Sequence, residues 1–238
     1  MAGTVNIPLL NSEDCALILI DHEPQMFFGV QSHDRKTIAN NVTALAKGAK
    51  LFNVPTILTT VADRSFSGPI IPQLQAVFPN KKPIARTSMN SWEDENLRRA
   101  VEQTGKRKLV MAALWTEVCL AFPVLSALAN DYEVYFVADA SGGSTAEVHE
   151  RAVQRMIQAG AIPMTWLQTI LEWQRDWANE DTYNGMMEII KEHSGAYGQG
   201  VFYAETMVQS YAGFEGYPEI SNNGNGSKVK EEITVSTT

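Results

Sequence analysis

The chain has 238 residues and a mass of 26.3 kDa, a size at which one α/β domain is sufficient. Apolar residues make up 45% and charged residues 19%, a balance typical of a globular protein with a substantial core. The formal net charge of −8 argues against a nucleic-acid partner, because it repels phosphate backbones.

The location of the protein is expected to be cytoplasmic. No apolar run approaches the roughly 18 residues of a membrane helix, and the first residues, MAGTVNIPLLNSED, lack a basic segment followed by an apolar one. The two cysteines, Cys15 and Cys119, each lie in a context suited to a reduced thiol. We therefore expect no disulfide, no export and no membrane partner.

Short apolar runs predict strands that are buried on both faces. They lie at residues 15–21, 54–60, 108–113 and 132–138, with shorter candidates at 83–86 and 161–165. Between them, apolar residues three and four positions apart predict helices near 42–51, 93–104, 117–130 and 146–159. This alternation predicts an α/β fold with a mostly parallel sheet and helices on both faces, whose ligands bind beyond the carboxyl ends of the strands.

The C-terminal part has a different character. Residues 166–177 are aromatic and amphipathic, and after them five glycines are expected to break any long helix. We assign residues 1–178 to the main domain and residues 179–220 to an appendage that packs on the domain or on a neighbouring subunit, because its many aromatic residues do not suit a free tail. Residues 221–238 have the composition of a disordered tail.

Cys119 is the strongest candidate for a reactive residue. It follows a predicted strand, in Leu114-Trp-Thr-Glu-Val-Cys119, where a turn leads into a helix. Backbone N–H groups at a helix start are expected to favour the thiolate and to hold an oxyanion. The alternative is a small buried apolar residue, which is the commoner role of cysteine.

Asp21 and Arg86 each end a predicted strand and can therefore point into the same crevice as Cys119. A carboxylate beside a thiol can take its proton and later return it to a leaving amine, while a fixed cation stabilises the thiolate. Arg86 is also expected to lower the pKa of Asp21, and burial to raise it, with a balance that the sequence leaves open. Taken singly, a helix cap for Asp21 and a surface ion pair for Arg86 are the simpler alternatives.

These motifs, taken together and in order, resemble the isochorismatase-like cysteine hydrolases. The resemblance rests on Leu19-Ile-Asp21, Ala85-Arg86 before Ser91-Trp92, and Trp115-Thr-Glu-Val-Cys119 followed by Ala121-Phe-Pro. It is closest to the YcaC-type subgroup, through Asp21-His-Glu23, Asn90-Ser-Trp-Glu-Asp94, Asp139-Ala-Ser-Gly142 and Gln158-Ala-Gly-Ala161. The similarity runs from about Asp14 to Trp177.

The resemblance implies a three-layer Rossmann-like fold with a six-stranded parallel sheet. It also implies a catalytic triad of Asp21, Arg86 and Cys119, and a cis peptide bond at Leu114–Trp115 that directs the N–H groups of Trp115 and Cys119 at the oxyanion. Most of the family has lysine where this chain has Arg86, although the YcaC-type members tend to have arginine. Since arginine does not give up its proton, all proton transfer would fall to Asp21.

Other residues have weaker assignments. Phe27, Phe28, Trp92 and Trp115 are candidates to line an apolar substrate pocket, or equally to pack against another subunit. His22 is expected to make a structural hydrogen bond, and His33, His149 and His193 are expected at the surface. Some nicotinamidases related to the family bind a metal through Asp and His, but residues 61–72 contain only Asp63, so no metal and no cofactor are predicted.

Two functional hypotheses follow. The first is a hydrolase that cleaves the carbon–nitrogen bond of a small amide through a Cys119 thioester, with Asp21 as general acid and base. The second is a non-hydrolytic assembly or thiol-reactive protein that retains the scaffold. The YcaC-type resemblance also implies a homo-oligomer, with an octameric ring as one form.

Overall fold

Six parallel strands form a single sheet at the centre of the fold. A computed structural model describes residues 9–208. The strands are β1 (Cys15–Ile20), β2 (Thr56–Val61), β3 (Ile84–Arg86), β4 (Lys108–Ala113), β5 (Glu133–Val137) and β6 (Ile162–Met164). Their order is β3-β2-β1-β4-β5-β6, and every pairing is parallel. The predicted Rossmann-like α/β fold is therefore confirmed.

The central strand β1 is apolar along its whole length because both faces of the sheet are covered. All six residues of β1 are buried, and β1 pairs with β2 on one side and β4 on the other. The helices that cover the sheet are α1 (Pro24–Phe28), α2 (Arg35–Leu51), α3 (Pro72–Val77), α4 (Glu95–Thr104), α5 (Ala121–Leu128), α6 (Ala146–Gln158) and α7 (Trp166–Gln174). One group gathers around α2, which packs with α3 and α7, and α5 packs with α6 in another.

Local capping fixes where several helices begin. Asp34 caps α2, Asp94 caps α4 and Thr145 caps α6, each by accepting a backbone N–H three residues later. α4 ends at Gly105, whose φ of 66° is in the left-handed region that glycine favours. These signals explain why the helices at 93–104 and 146–159 were predicted to within two residues.

The segment after residue 178 departs from the expectation of an irregular chain. It begins with a 14-residue helix, α8 (Glu180–His193), followed by α9 (Ala196–Tyr203). α8 packs on α2, with Met186, Ile189 and Ile190 buried. Gly185 does not break the helix; a side chain there would collide with Leu51 of α2, so glycine permits the close approach.

The chain divides into two compact units, and the second begins at Phe202. Its described part is the end of α9 and a π-helical turn, Ala204–Val208. The tail assigned to 221–238, and residues 209–220 of the appendage, lie outside the described residues.

Candidate functional site

Three predicted site residues lie at the carboxyl edge of the sheet. Asp21 directly follows β1 with a φ of 57°, a left-handed conformation that turns the chain sharply away from the strand. Arg86 is the last residue of β3. Cys119 lies in a π-helical turn, Thr116–Leu120, which connects the end of β4 to α5. Because β3, β2, β1 and β4 are consecutive and parallel in the sheet, the ends that carry Arg86, Asp21 and the Cys119 turn lie along the same edge.

Asp21 and Arg86 form an ion pair that is closed to solvent. Arg86 Nη2 lies 2.6 Å from Asp21 Oδ2, and both side chains are 0% exposed. A second nitrogen, Nη1, donates a short hydrogen bond to the carbonyl of Ser88 and fixes the plane of the guanidinium. The surface ion pair considered as an alternative for Arg86 is therefore wrong.

The pKa of Asp21 resolves the balance that the sequence left open. Burial raises it and the charge of Arg86 lowers it; burial prevails, and the pKa is raised to about 6. Asp21 is thus mostly ionised at neutral pH, yet it holds a proton far more readily than an ordinary aspartate. These are the properties that a group needs if it is to take up and release a proton near neutral pH.

Cys119 is buried, with 4% of its surface exposed, and its thiol lies beside Asp21. Burial raises the pKa of the thiol, and the negative charge of Asp21 raises it further; the backbone N–H of Trp115 and the charge of Arg86 oppose this only in part. The two side chains interact closely enough to shift each other's pKa, although Asp21 Oδ1 has no hydrogen-bond partner of normal geometry within residues 9–208.

The expectation of a resting thiolate is therefore wrong. It assumed that Cys119 sits in the first turn of an α-helix, whereas α5 begins two residues later, and it left out desolvation and the adjacent carboxylate. The raised pKa of Cys119 and the pairing of Asp21 with Arg86 favour a neutral thiol beside an ionised carboxylate.

Trp115 begins the turn that carries Cys119. The peptide bond Leu114–Trp115 is cis, as the resemblance implied. The Trp115 backbone N–H faces the sulfur of Cys119, and its indole Nε1 donates to the carbonyl of Met26 at 2.8 Å. Gly29 lies so close that any side chain there would collide with the indole ring. Helix α1 therefore holds Trp115, and with it the start of the Cys119 turn.

The other aromatic candidates differ in position. The ring of Phe27 is buried, with its centroid 6.3 Å from that of His22, next to Asp21. Phe28 is 69% exposed, so within one chain it does not line a closed pocket. Trp92 is buried, but its ring stacks edge-on with Tyr132 at 5.2 Å. Since Tyr132 precedes β5, this contact lies at the opposite edge of the sheet from Cys119.

The histidines have structural partners. His22 Nε2 lies 3.0 Å from the carbonyl of Ala140, which confirms the predicted hydrogen bond, and burial lowers the pKa of His22 to about 4. His149 is buried rather than at the surface, and its Nδ1 lies 2.9 Å from Thr116 Oγ1. This contact supports the first residue of the π-helical turn, which a local sequence pattern does not reveal.

Glu23 was missed by the sequence reasoning. It is 0% exposed, and burial followed by the charge of Asp21 raises its pKa to about 8. The available signal was the order Asp21-His22-Glu23, three ionisable residues in succession after a wholly apolar strand and before Pro24.

The described part of the chain holds no group of three or more His, Cys, Asp or Glu side chains arranged to bind a metal. None of its helices is both long and apolar enough to cross a membrane. Both cysteines are free and buried.

Comparison with known proteins identifies the family. The isochorismatase domain model matches residues 15–168. The probable hydrolase YcaC of Escherichia coli (strain K12) is 40% identical over 185 residues, which cover 77% of this chain and 88% of that protein. The chain belongs to the isochorismatase family.

Two solved structures of family members extend this likeness to the fold. The YcaC gene product of Escherichia coli, an octameric hydrolase of unknown specificity, matches with a TM-score of 0.80 and 39% identity over 84% of this chain and 98% of that chain. YcaC from Pseudomonas aeruginosa, solved with hexane-2,5-diol and covalent acrylamide, matches with a TM-score of 0.79 and 38% identity over 83% of this chain and 97% of that chain. The predicted resemblance to the YcaC-type subgroup is therefore confirmed.

Proposed function

We propose that this isochorismatase-family protein is a cysteine hydrolase that cleaves the carbon–nitrogen bond of a small amide. Cys119 is the nucleophile, Asp21 is the general acid and base, and Arg86 holds Asp21 ionised and in place. The observation that carries the proposal is the buried Asp21–Arg86 pair, 2.6 Å apart, directly beside the Cys119 thiol.

The first half-reaction begins with proton transfer. Asp21 takes the proton of Cys119 as the sulfur attacks the amide carbonyl carbon, and the carbonyl oxygen becomes an oxyanion near the N–H groups of Trp115 and Cys119. Asp21 then gives the proton to the amide nitrogen, the carbon–nitrogen bond breaks, and an amine leaves. A thioester remains on Cys119.

The second half-reaction restores the enzyme. Asp21 takes a proton from a water molecule as the water oxygen attacks the thioester carbon. The carbon–sulfur bond then breaks and the acid is released. The sulfur regains its proton from Asp21. Since the pKa of Asp21 is raised to about 6, neither loss nor gain of this proton is costly at neutral pH.

The apolar candidates have a separate role in the proposal. Phe27 in α1 and Trp115 at the start of the Cys119 turn lie next to triad residues and would contact the acyl group. Phe28 is suited to cover the site only when another subunit or the substrate packs on it, because it is largely exposed in one chain. For Trp92, the contact with Tyr132 argues for a structural role instead.

A second candidate function is a non-hydrolytic, thiol-reactive or purely structural assembly. The burial of Cys119 favours the purely structural form, and the octameric YcaC gene product, to which the chain is similar, is itself a hydrolase of unknown specificity. We further propose that this chain forms a homo-oligomer, with an octamer as the expected form, and that residues 179–220 are an appendage to the 1–178 domain. We also propose that it works in the cytoplasm, where free thiols persist. Light scattering after size exclusion tests the assembly, and a monomer would contradict it.

Hydrolysis is tested by screening small aliphatic and aromatic amides for amine release. The wild type is compared with Cys119→Ala and with Cys15→Ala, a matched control that removes the other buried cysteine. We expect release that depends on Cys119 and is retained without Cys15. Equal rates in the wild type and Cys119→Ala would exclude the thioester mechanism.

A further inference from the structure

Glu23 is a buried carboxyl group that the proposed mechanism does not use. Its Oε2 accepts the backbone N–H of Val61 at 3.3 Å, and its own backbone N–H donates to the carbonyl of Asp21 at 2.8 Å. Its other oxygen, Oε1, is buried without a hydrogen-bond partner in the part of the chain that the structure describes. A proton on Glu23 is therefore best placed on Oε1, since Oε2 is occupied as an acceptor.

The charged groups around Glu23 include more carboxylates than cations. The charged groups that act on it are Asp21 after β1, Arg86 on β3 and Asp63 in the loop after β2. Val61, whose N–H binds Glu23, is paired with Arg86 in the sheet, so Glu23 lies at the strand ends that carry the catalytic ion pair. Arg86 donates one hydrogen bond from Nη2 to the Asp21 carboxylate and one from Nη1 to the carbonyl of Ser88. Within the described part of the chain, the Arg86 guanidinium is thus the one cation acting on Glu23 against two carboxyl groups, those of Asp21 and Asp63.

We propose that Glu23 is a positioning residue whose charge sets how strongly Asp21 attracts the Cys119 proton. When Glu23 is protonated, Asp21 is balanced by Arg86 and is a moderate base. When Glu23 loses its proton to solvent, a second negative charge next to Asp21 makes Asp21 a stronger base, because moving charge from Asp21 toward the sulfur then relieves repulsion. The inference rests on the proposed role of Asp21.

The two carboxyl groups behave as one coupled pair. Burial and Asp21 raise the pKa of Glu23 to about 8, whereas that of Asp21 is raised only to about 6. Between these values the pair holds one proton. We assign it to Glu23, because Arg86 is paired with Asp21 and Glu23 Oε1 has no partner among residues 9–208. The reactivity of Cys119 is therefore expected to rise in two steps as the pH increases.

The test measures the rate of Cys119 alkylation by acrylamide from pH 5 to pH 9.5, with peptide mapping by mass spectrometry to separate Cys119 from Cys15. In the wild type we expect the alkylation rate to rise once near pH 6 and again, by about three- to tenfold, near pH 8. The size of the second rise follows from a Brønsted slope near one-half, at which each pKa unit added to Asp21 increases the rate about threefold. Glu23→Gln keeps the acceptor for Val61 and should lose only the second rise. Glu102→Gln, an equal charge change at an exposed position of α4, should keep both.

The outcomes separate this inference from the proposed function. A Glu23→Gln profile that superimposes on that of the wild type, or a wild-type rate that falls above pH 8, overturns the role of Glu23 while Asp21-dependent reactivity stands. If Glu23→Gln does not fold, the wild type alone decides: a single rise overturns the inference. Infrared spectra of the wild type should also show a protonated carboxyl band at pH 7 that disappears with the midpoint of the second rise, and its absence at pH 7 would contradict the inference. Loss of all dependence on Asp21 would instead refute the proposed mechanism.

Discussion

Replacing Arg86 with methionine should leave Asp21 buried without its cation. Arg86 is the largest influence that opposes the raised pKa of Asp21, and a neighbouring arginine typically lowers an aspartate pKa by about 1–3 units. A further rise of about two units would take Asp21 from about nine-tenths ionised at pH 7 to about one-tenth. The first rise in the Cys119 alkylation rate should then move from near pH 6 to near pH 8, because Asp21 becomes ionised only at the higher pH. The rate at pH 7 itself should change little, since the stronger base offsets its smaller ionised fraction.

The same substitution should also reduce stability. Removing one partner of a buried pair costs about 3 kcal/mol or more of unfolding free energy, which denaturant titration measures. Arg99→Met is the matched control, because it removes a positive charge from an exposed pair with Glu95, whose side chains are 59% and 74% exposed. It should change neither quantity appreciably. An Arg86→Met protein whose alkylation rate still rises near pH 6 would refute the argument that the cation keeps Asp21 ionised.

Two further predictions concern stability and the support of Cys119. Relative to Glu23→Gln, the free energy of unfolding of the wild type should fall by about 1.5 kcal/mol between pH 6.5 and pH 8, because a carboxyl group whose folded pKa is raised to about 8 loses its stabilising effect as the pH rises toward that value. The comparison with the variant cancels the opposite contribution of the histidines whose pKa values are lowered by burial. Denaturant titration of both proteins at the two pH values measures this difference; an equal pH dependence in both would contradict the raised pKa of Glu23. Gly29→Ala should displace the Trp115 indole, since its φ of −76° permits alanine and only the contact with the ring opposes it. A lower Cys119 alkylation rate with a changed tryptophan emission is expected, and an unchanged rate would show that α1 does not position the turn.

The strands were predictable because their burial is encoded locally. β1 is a continuous apolar run, and the structure places it at Cys15–Ile20, one residue shorter than predicted. Strands in the middle of a parallel sheet need no alternation of polar and apolar residues, so the apolar run itself is the signal. The alternation with amphipathic helices then restricts the fold to a parallel sheet, and the carboxyl edge follows from the fold.

The errors arose where tertiary contacts decide the outcome. The segment after residue 177 was predicted to be irregular because of five glycines from Gly195 onward, but α8 ends before the first of them. α8 is stabilised by its packing on α2, where Gly185 approaches Leu51, 134 positions away in sequence. The pKa of Cys119 was predicted to fall on local grounds, whereas desolvation and Asp21 raise it. His149 was expected at the surface, but it contacts Thr116 in the interior. None of these partners is visible from the residues next to each site.

The most direct measurement is the pH dependence of Cys119 alkylation in the wild type and in Asp21→Asn, with Cys15 in the same molecule as an internal control. Burial raises the pKa of Cys15 to about 12, and Cys15 has no Asp21–Arg86 pair beside it. In the wild type, the alkylation rate of Cys119 should rise near pH 6 and exceed that of Cys15. In Asp21→Asn, the rise near pH 6 should be lost. Cys119 and Cys15 reacting alike, with rates that increase about tenfold per pH unit in both proteins, would contradict proton transfer from Cys119 to Asp21.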